Sequence, residues 1–284
     1  MKTKIVALCR SLGGAACAGA VLIMAWGASA QNLFVSALSG GDIYEITPGG
    51  SSSVFASGMA YPIGVAFNSA GDLFVANSDD NAGETGNIAE ITPGGAQSVF
   101  AGGVDPQGLA FNSAGDLFES DYRSGNIYEY TPGGVQSTFA TGLTLPLATA
   151  FNSVGDLFVG SGYGNGNGMI TEIAPNGTKS LFATGLSFPG GLAFNSAGNL
   201  FVSSQSGGTI YEFTPEGVQS EFATVNSTGI NGLAFNSAGD LFAASGSGPI
   251  IEITPGEHKA RSPRNRVFLM AWLFSRCLSR RRWD

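Results

Sequence analysis

The residues of this chain best suited to chemistry are hard-oxygen donors gathered in one third of its length. Asn77, Asp79, Asp80 and Glu84 stand close together, Asp105 and Gln107 come next, and Glu119, Asp121, Tyr122 and Arg123 form a third group. A calcium ion takes six to eight oxygens from such side chains. Asp79, Asp80, Glu84, Glu119 and Asp121 are therefore the candidate metal ligands, with calcium as the candidate cofactor. Asn77, Asp105, Gln107, Tyr122 and Arg123 are candidate ligand-binding residues, and the competing reading of all three groups is a solvated acidic rim. Tyr163 sits in a glycine-rich run, Gly160 to Gly168, that has no phosphate-binding lysine. It reads as a loop tyrosine able to stack on a sugar. General acid–base and nucleophilic catalysis find little support: the single histidine is His258, and Cys9, Cys17 and Cys277 lie near the two ends. A metal-assisted hydrolase is the enzyme class left open.

What must position these residues is a repeat. A phrase close to Gly-Leu-Ala-Phe-Asn-Ser-Ala-Gly-Asp-Leu-Phe-Val recurs with its second leucine at Leu33, Leu73, Leu117, Leu157, Leu200 and Leu241, at intervals of 40, 44, 40, 43 and 41 residues. Each copy holds four short apolar runs separated by Gly, Pro, Asn and Asp, the pattern of strands joined by tight turns. In the second copy the runs are 63–67, 73–76, 88–91 and 97–101. A period near forty built from four strands predicts an all-β fold, a six-bladed β-propeller with one four-stranded antiparallel blade per copy. The first two strands are joined by Asn68-Ser69-Ala70-Gly71-Asp72 and its equivalents, whose glycine suits positive φ. Thr-Pro-Gly-Gly joins the last two, and reads as a type II turn. The glutamate recurring in each third strand, from Glu45 to Glu252, reads as a solvated or hydroxyl-bonded position.

In such a ring these two uniform turns share one face. The links between second and third strands, and between one blade and the next, share the other. The second set differs from copy to copy, and the candidate residues fall in it, chiefly in blades two to four. Ligands are expected there.

Charge divides the chain. Residues 31–256 carry 19 acidic side chains against Arg123 and Lys179, a net of −17, whereas residues 257–284 carry eight basic against two acidic, a net of +6. So acidic a body repels phosphate backbones and excludes nucleic acid as a partner. Residues 1–30 read as a secretory leader: Lys2, Lys4 and Arg10, an apolar run from Ala15 to Trp26, then Ala28-Ser29-Ala30. Cleavage after Ala30 is expected. The mature chain then has no apolar stretch long enough to span a membrane, and its repeats, free of cysteine, are held by core and ladders alone. The tail from Glu257 abandons the repeat where the sixth blade needs its last strand. It reads as a degenerate or frame-shifted terminus, with a surface anchor as the alternative. The first copy lacks its first strand, and both missing strands are expected from the C-terminal side, Arg266–Trp272 being one makeshift source.

The motif Pro-x-Gly-Leu-Ala-Phe-x-x-x-Gly-x-Leu-Phe-Val resembles the NHL-repeat proteins and the related gluconolactonase-like six-bladed propellers, over about residues 33–255. The resemblance implies the propeller fold and two functional classes: calcium-dependent lactonases, and modules that bind protein or carbohydrate. In the lactonases, channel-facing side chains hold one metal that polarises the lactone and activates water. One ligand there is an Asn before the glycine of a Gly-Leu-Ala strand, and Asn231 matches it. The equivalent positions Ile63, Gln107, Leu147 and Gly190 do not. The resulting expectation is a secreted, monomeric binding module for an extracellular protein or carbohydrate, with a calcium-dependent lactonase as the alternative.

Overall fold

The computed structural model describes residues 5–7, 22–24, 32–38, 40–78, 86–162, 166–204, 206–225, 229–246, 249–254 and 267–268. Twenty-four of its strands assemble into six antiparallel sheets, one per repeat, and the second sheet is typical: Tyr61–Phe67, Leu73–Ser78, Gly86–Ile91 and Gln97–Val104, paired in that order. The first strands of neighbouring blades face one another around a common hub, and the fourth strands are outermost. The chain is a six-bladed β-propeller.

The blades are held by the seams between them. Leu73, Val75 and Ile91 of blade two pack on Phe34, Ile43 and Ala56 of blade one. The same arrangement recurs at each later seam, up to Leu33, Val35 and Ile46 against Ala234, Ala244 and Ile250 of blade six. Strand alternation explains it, because the second-strand leucine and valine leave one face of a blade and the phenylalanine between them leaves the other. That phenylalanine meets two others edge-on. Phe74 lies 4.9 Å from Phe100 of its own fourth strand and 5.1 Å from Phe111 of the next blade. Phe34, Phe118, Phe158 and Phe201 repeat the triplet. T-shaped pairs at this distance add to the area they bury.

Both uniform turns prove to be one design. Asn68 N donates to Asp72 O, Gly71 N donates to Asn68 O, and the Asn68 Oδ1 accepts from the amides of Ala70 and Asp72. At the other turn Thr92 N donates to Ala96 O, Gly95 N to Thr92 O, and Thr92 Oγ1 accepts from Ala96 N. The left-handed residue is the second glycine, Gly95 at φ 82°, not the first. Thr-Pro-Gly-Gly is thus a type I turn closed by a left-handed glycine, and the type II expectation is corrected. The two turns of one blade touch, with Gly71 against Pro93.

The partial blades are completed from the other end of the chain than expected. Leu22–Met24 pairs with Leu33–Ala37 as the first strand of blade one, and Ile5–Ala7 pairs with Pro249–Ile253 as the fourth strand of blade six. Val267–Phe268 joins outside, parallel to Ile5–Val6. Unpaired backbone groups at the two open edges need partners, and any extended stretch supplies them.

Candidate functional site

The variable face is built where the link between second and third strands meets the link entering the next blade. Between blades one and two Met59 N donates to Gly41 O, and between blades three and four Leu143 N donates to Gly125 O. A Cβ on either glycine would strike the facing carbonyl.

Blades two and three bring several of the expected residues together. Asp105 is the centre: its Oδ1 accepts from Ser78 Oγ at 2.5 Å, and its Oδ2 accepts from Arg123 Nε at 3.1 Å in an ion pair half exposed on the arginine side. Its backbone amide donates to Asp121 Oδ2 at 2.8 Å, and its carbonyl accepts from Tyr122 N. The second oxygen of Asp121 accepts from Ser124 N at 2.8 Å. Asn77 does the same work in blade two, its Oδ1 accepting from Ala60 and Tyr61 amides at 2.9 and 3.1 Å. Asn77, Asp121 and Ser204 all stand four residues after the repeat leucine, and each accepts an amide from the link entering its own blade. They are fold-bearing clasps occupying one structural position. Three different residue types fill that position, which hides it in the sequence; counting from the leucine exposes it.

Glu119 stands apart. It is fully buried, and neither carboxylate oxygen has a hydrogen-bond partner. Burial, then the neighbouring charges of Asp121 and Asp105, push its acid up to about 9. Tyr130, in the same seam, accepts from Gln136 Nε2, and burial together with Glu119 holds its phenol protonated well above the usual range. Asp79, Asp80, Glu84 and Tyr163 lie outside the described residues. Among the described residues no three acidic, His or Cys side chains stand close enough to hold one metal ion.

The hub was the other expected location. Four of the first strands carry a β-bulge there: register shifts fall between Pro62 and Val65, Pro106 and Leu109, Pro146 and Thr149, and Ile230 and Gly232. Bulging turns the Gln107 carbonyl onto Gly64 and the Leu147 carbonyl onto Gly108, where a Cβ would collide. Glycine is required by this approach at Gly64 and Gly108, whereas blade four carries Ala148 at the same place. The hub cavity is consequently only about 20 Å³, lined by Gly64, Gly108, Ala148, Thr149, Gly191 and Gly232 among others, with no carboxylate. Asn231 is buried beside Gly190. A metal of the kind the lactonase resemblance implies finds no acidic ligand in this lining, so the described hub residues do not fit it.

No family model and no curated protein matches the chain. Solved structures do. A gluconolactonase from Xanthomonas campestris is 17% identical, with 79% of this chain and 82% of that one covered at a TM-score of 0.67. Virginiamycin B lyase from Staphylococcus aureus is 16% identical, with 86% and 82% covered at 0.61. A chain of the nidogen–laminin complex is 16% identical, with 76% and 86% covered at 0.64. At such identities the likeness is one of fold. It agrees with the six-bladed architecture and spans enzymes and a protein-binding module alike.

Proposed function

We propose that this chain is a secreted, monomeric binding module that engages an extracellular protein or carbohydrate through the variable face of blades two to four. The observation that carries this reading is the size of the hub. Among the described residues the hub cavity has space for about one water, far short of the several hundred Å³ that a small-molecule substrate needs, and the glycine-to-carbonyl contacts at Gly64 and Gly108 that narrow it are part of the scaffold. Recognition then falls to exposed groups, and Arg123, half exposed and held by Asp105, with Tyr122 beside it, is the best presented of them. The leader assigned to residues 1–30 supports export, and its removal would leave blades one and six with three strands each among those described.

The test is a glycan array, run beside a pull-down from extracellular matrix and envelope proteins, with the wild-type chain and a Tyr122→Ala, Arg123→Ala double variant. A ligand retained by the first and lost by the second, with the thermal midpoint of both alike, is the expected result. Turnover of a sugar lactone in the presence of calcium, abolished by Asn231→Ala, would favour the lactonase instead.

A further inference from the structure

The place nearest the hub in blade one is filled by residues that the exported chain would not keep. Leu22–Met24 is the first strand of that blade, and it falls within the stretch assigned to the leader. Its backbone runs antiparallel to Leu33–Ala37 and lies between the first strands of blades two and six, Tyr61–Phe67 and Ile230–Phe235. The register is that of the other blades. Met24 stands opposite Leu33, where Phe67, Phe111, Phe151, Phe194 and Phe235 stand opposite their own repeat leucines. Ile23 stands opposite Phe34, at the place of Ala66 and its equivalents, and Leu22 opposite Val35, at the place of Leu109, Leu192 and Leu233. Leu-Ile-Met thus takes the register of Leu-Ala-Phe.

A separate observation marks the same place as incomplete. In blades one to five the second-strand phenylalanine meets a ring on the first strand of the next blade and is 6% exposed or less. In blade six it is Phe242, and the next blade is blade one. Phe242 is only partly buried, and among the described residues no ring meets it.

Release of residues 1–30 therefore opens a slot one strand wide between blades six and two, with the free edge of Leu33–Ala37 along one side. We infer that this slot accepts an extended segment of a partner protein, which adds as the first strand of blade one. The inference rests on the export assigned under the proposed function, and it carries binding from the loops of the variable face into the ring itself. Four of the five residues of Leu33–Ala37 are buried, so backbone groups left unpaired there are costly. Strand addition supplies them with main-chain hydrogen bonds, and pockets for alternate side chains give specificity. The register states what the guest carries: an apolar residue opposite Val35, a small one opposite Phe34 and a phenylalanine opposite Leu33, which completes the ring set of Phe242. A carbohydrate offers no such ladder, so this site selects protein. First strands run from the variable links to the uniform turns, and the N-terminal side of the guest emerges beside the loops already proposed to bind.

The test uses the exported chain, its N-terminus read by mass spectrometry. It is titrated with a peptide copying residues 230–236, Ile-Asn-Gly-Leu-Ala-Phe-Asn, and with the same peptide carrying Phe235→Ser. Loss of residues 1–30 is expected, with saturable binding of the first peptide, a raised thermal midpoint and slower amide exchange across Leu33–Ala37 but not across Gln136–Ala140. The serine peptide should bind roughly tenfold more weakly or worse. Unprocessed chain, whose own Leu22–Met24 fills the slot, should take up neither. An exported chain that keeps residues 1–30 would overturn the export assignment and the slot with it. A processed chain that binds neither peptide, or both alike, or gains its protection at Pro249–Ile253 on the outer edge of blade six, would overturn the slot alone.

Discussion

Glu119 occupies the position that Val75, Val159 and Val202 hold in other blades, buried in the seam that blade three makes with blade two. An orphaned carboxylate there would cost several kcal/mol, and the molecule avoids this by keeping the acid protonated. With an unfolded value near 4.5 and a folded value of about 9, the folded chain binds more protons than the unfolded one throughout that window. Stability from this group is therefore full below pH 4.5 and is lost as pH rises toward 9, by an amount on the order of several kcal/mol. Asp121 and Asp105 add to the shift but secondarily to burial. Glu119→Val should flatten the fall. Denaturant unfolding of both proteins at about pH 5, 7 and 9 is expected to show the variant ahead at the lowest pH, because the unpartnered neutral acid still costs about 1–3 kcal/mol, and an advantage that grows as pH rises; a constant difference would mean that Glu119 is already charged in the folded chain.

At the level of strands and turns, the shared turn design makes a sharper test than the phrase Thr-Pro-Gly-Gly suggests. Gly95 is left-handed at φ 82°, while Gly94 is not among the positive-φ glycines and its equivalents are Asn176 and Glu216. Gly94→Ala should be neutral or slightly stabilising, by a few tenths of a kcal/mol through the unfolded chain. Gly95→Ala should cost about 1 kcal/mol or more. The reverse order in thermal melts, with Gly94→Ala the costlier, would return the turn to type II. Blade four shows the logic from the other side: Ala174 has lost the hydroxyl that Thr92 offers, and Asn176 Oδ1 takes over the amide of Thr178 at 3.0 Å. Strand positions were legible in the sequence because apolar alternation and turn residues coincide; the predicted 63–67 and 97–101 grew only at their ends. The turn type was not, since Pro-Gly fits two geometries that differ only in which glycine inverts. Nor were the clasps, because Asn77 and Asp121 look like unrelated acidic or amide residues until the register of the second strand aligns them.

Across the whole ring a longer period underlies the shorter one. Leu33 to Leu117, Leu73 to Leu157 and Leu157 to Leu241 are each 84 residues apart, and Leu117 to Leu200 is 83, so the chain is three copies of a two-blade unit. Packing obeys the longer period. Blades one, three and five carry Ser36, Ser120 and Ser203 where blades two, four and six carry Ala76, Gly160 and Ala244. Ser36 donates to Ile63 O and Ser120 to Leu147 O, each a carbonyl of the next blade's bulge. The seam after blade two instead packs Tyr130 against Phe100, and the seam after blade four packs Phe213 against Phe182. The seams within the first two units are thus pinned by a hydroxyl near the hub, whereas Ser203 bonds Gly191 of its own blade, and two of the three seams between units gain aromatic contact farther out. Ser120 also accepts the buried amide of Gly108 at 2.8 Å, so Ser120→Ala strands both a donor and an acceptor and should cost about 1–3 kcal/mol. The effect should be directional. Hydrogen exchange is expected to quicken at Gly108 and across the first strand of blade four, Pro146–Phe151, while the seam between blades four and five keeps its protection. Uniform loss around the ring would show instead that all six seams are energetically equivalent and that the two-blade period is a matter of sequence alone.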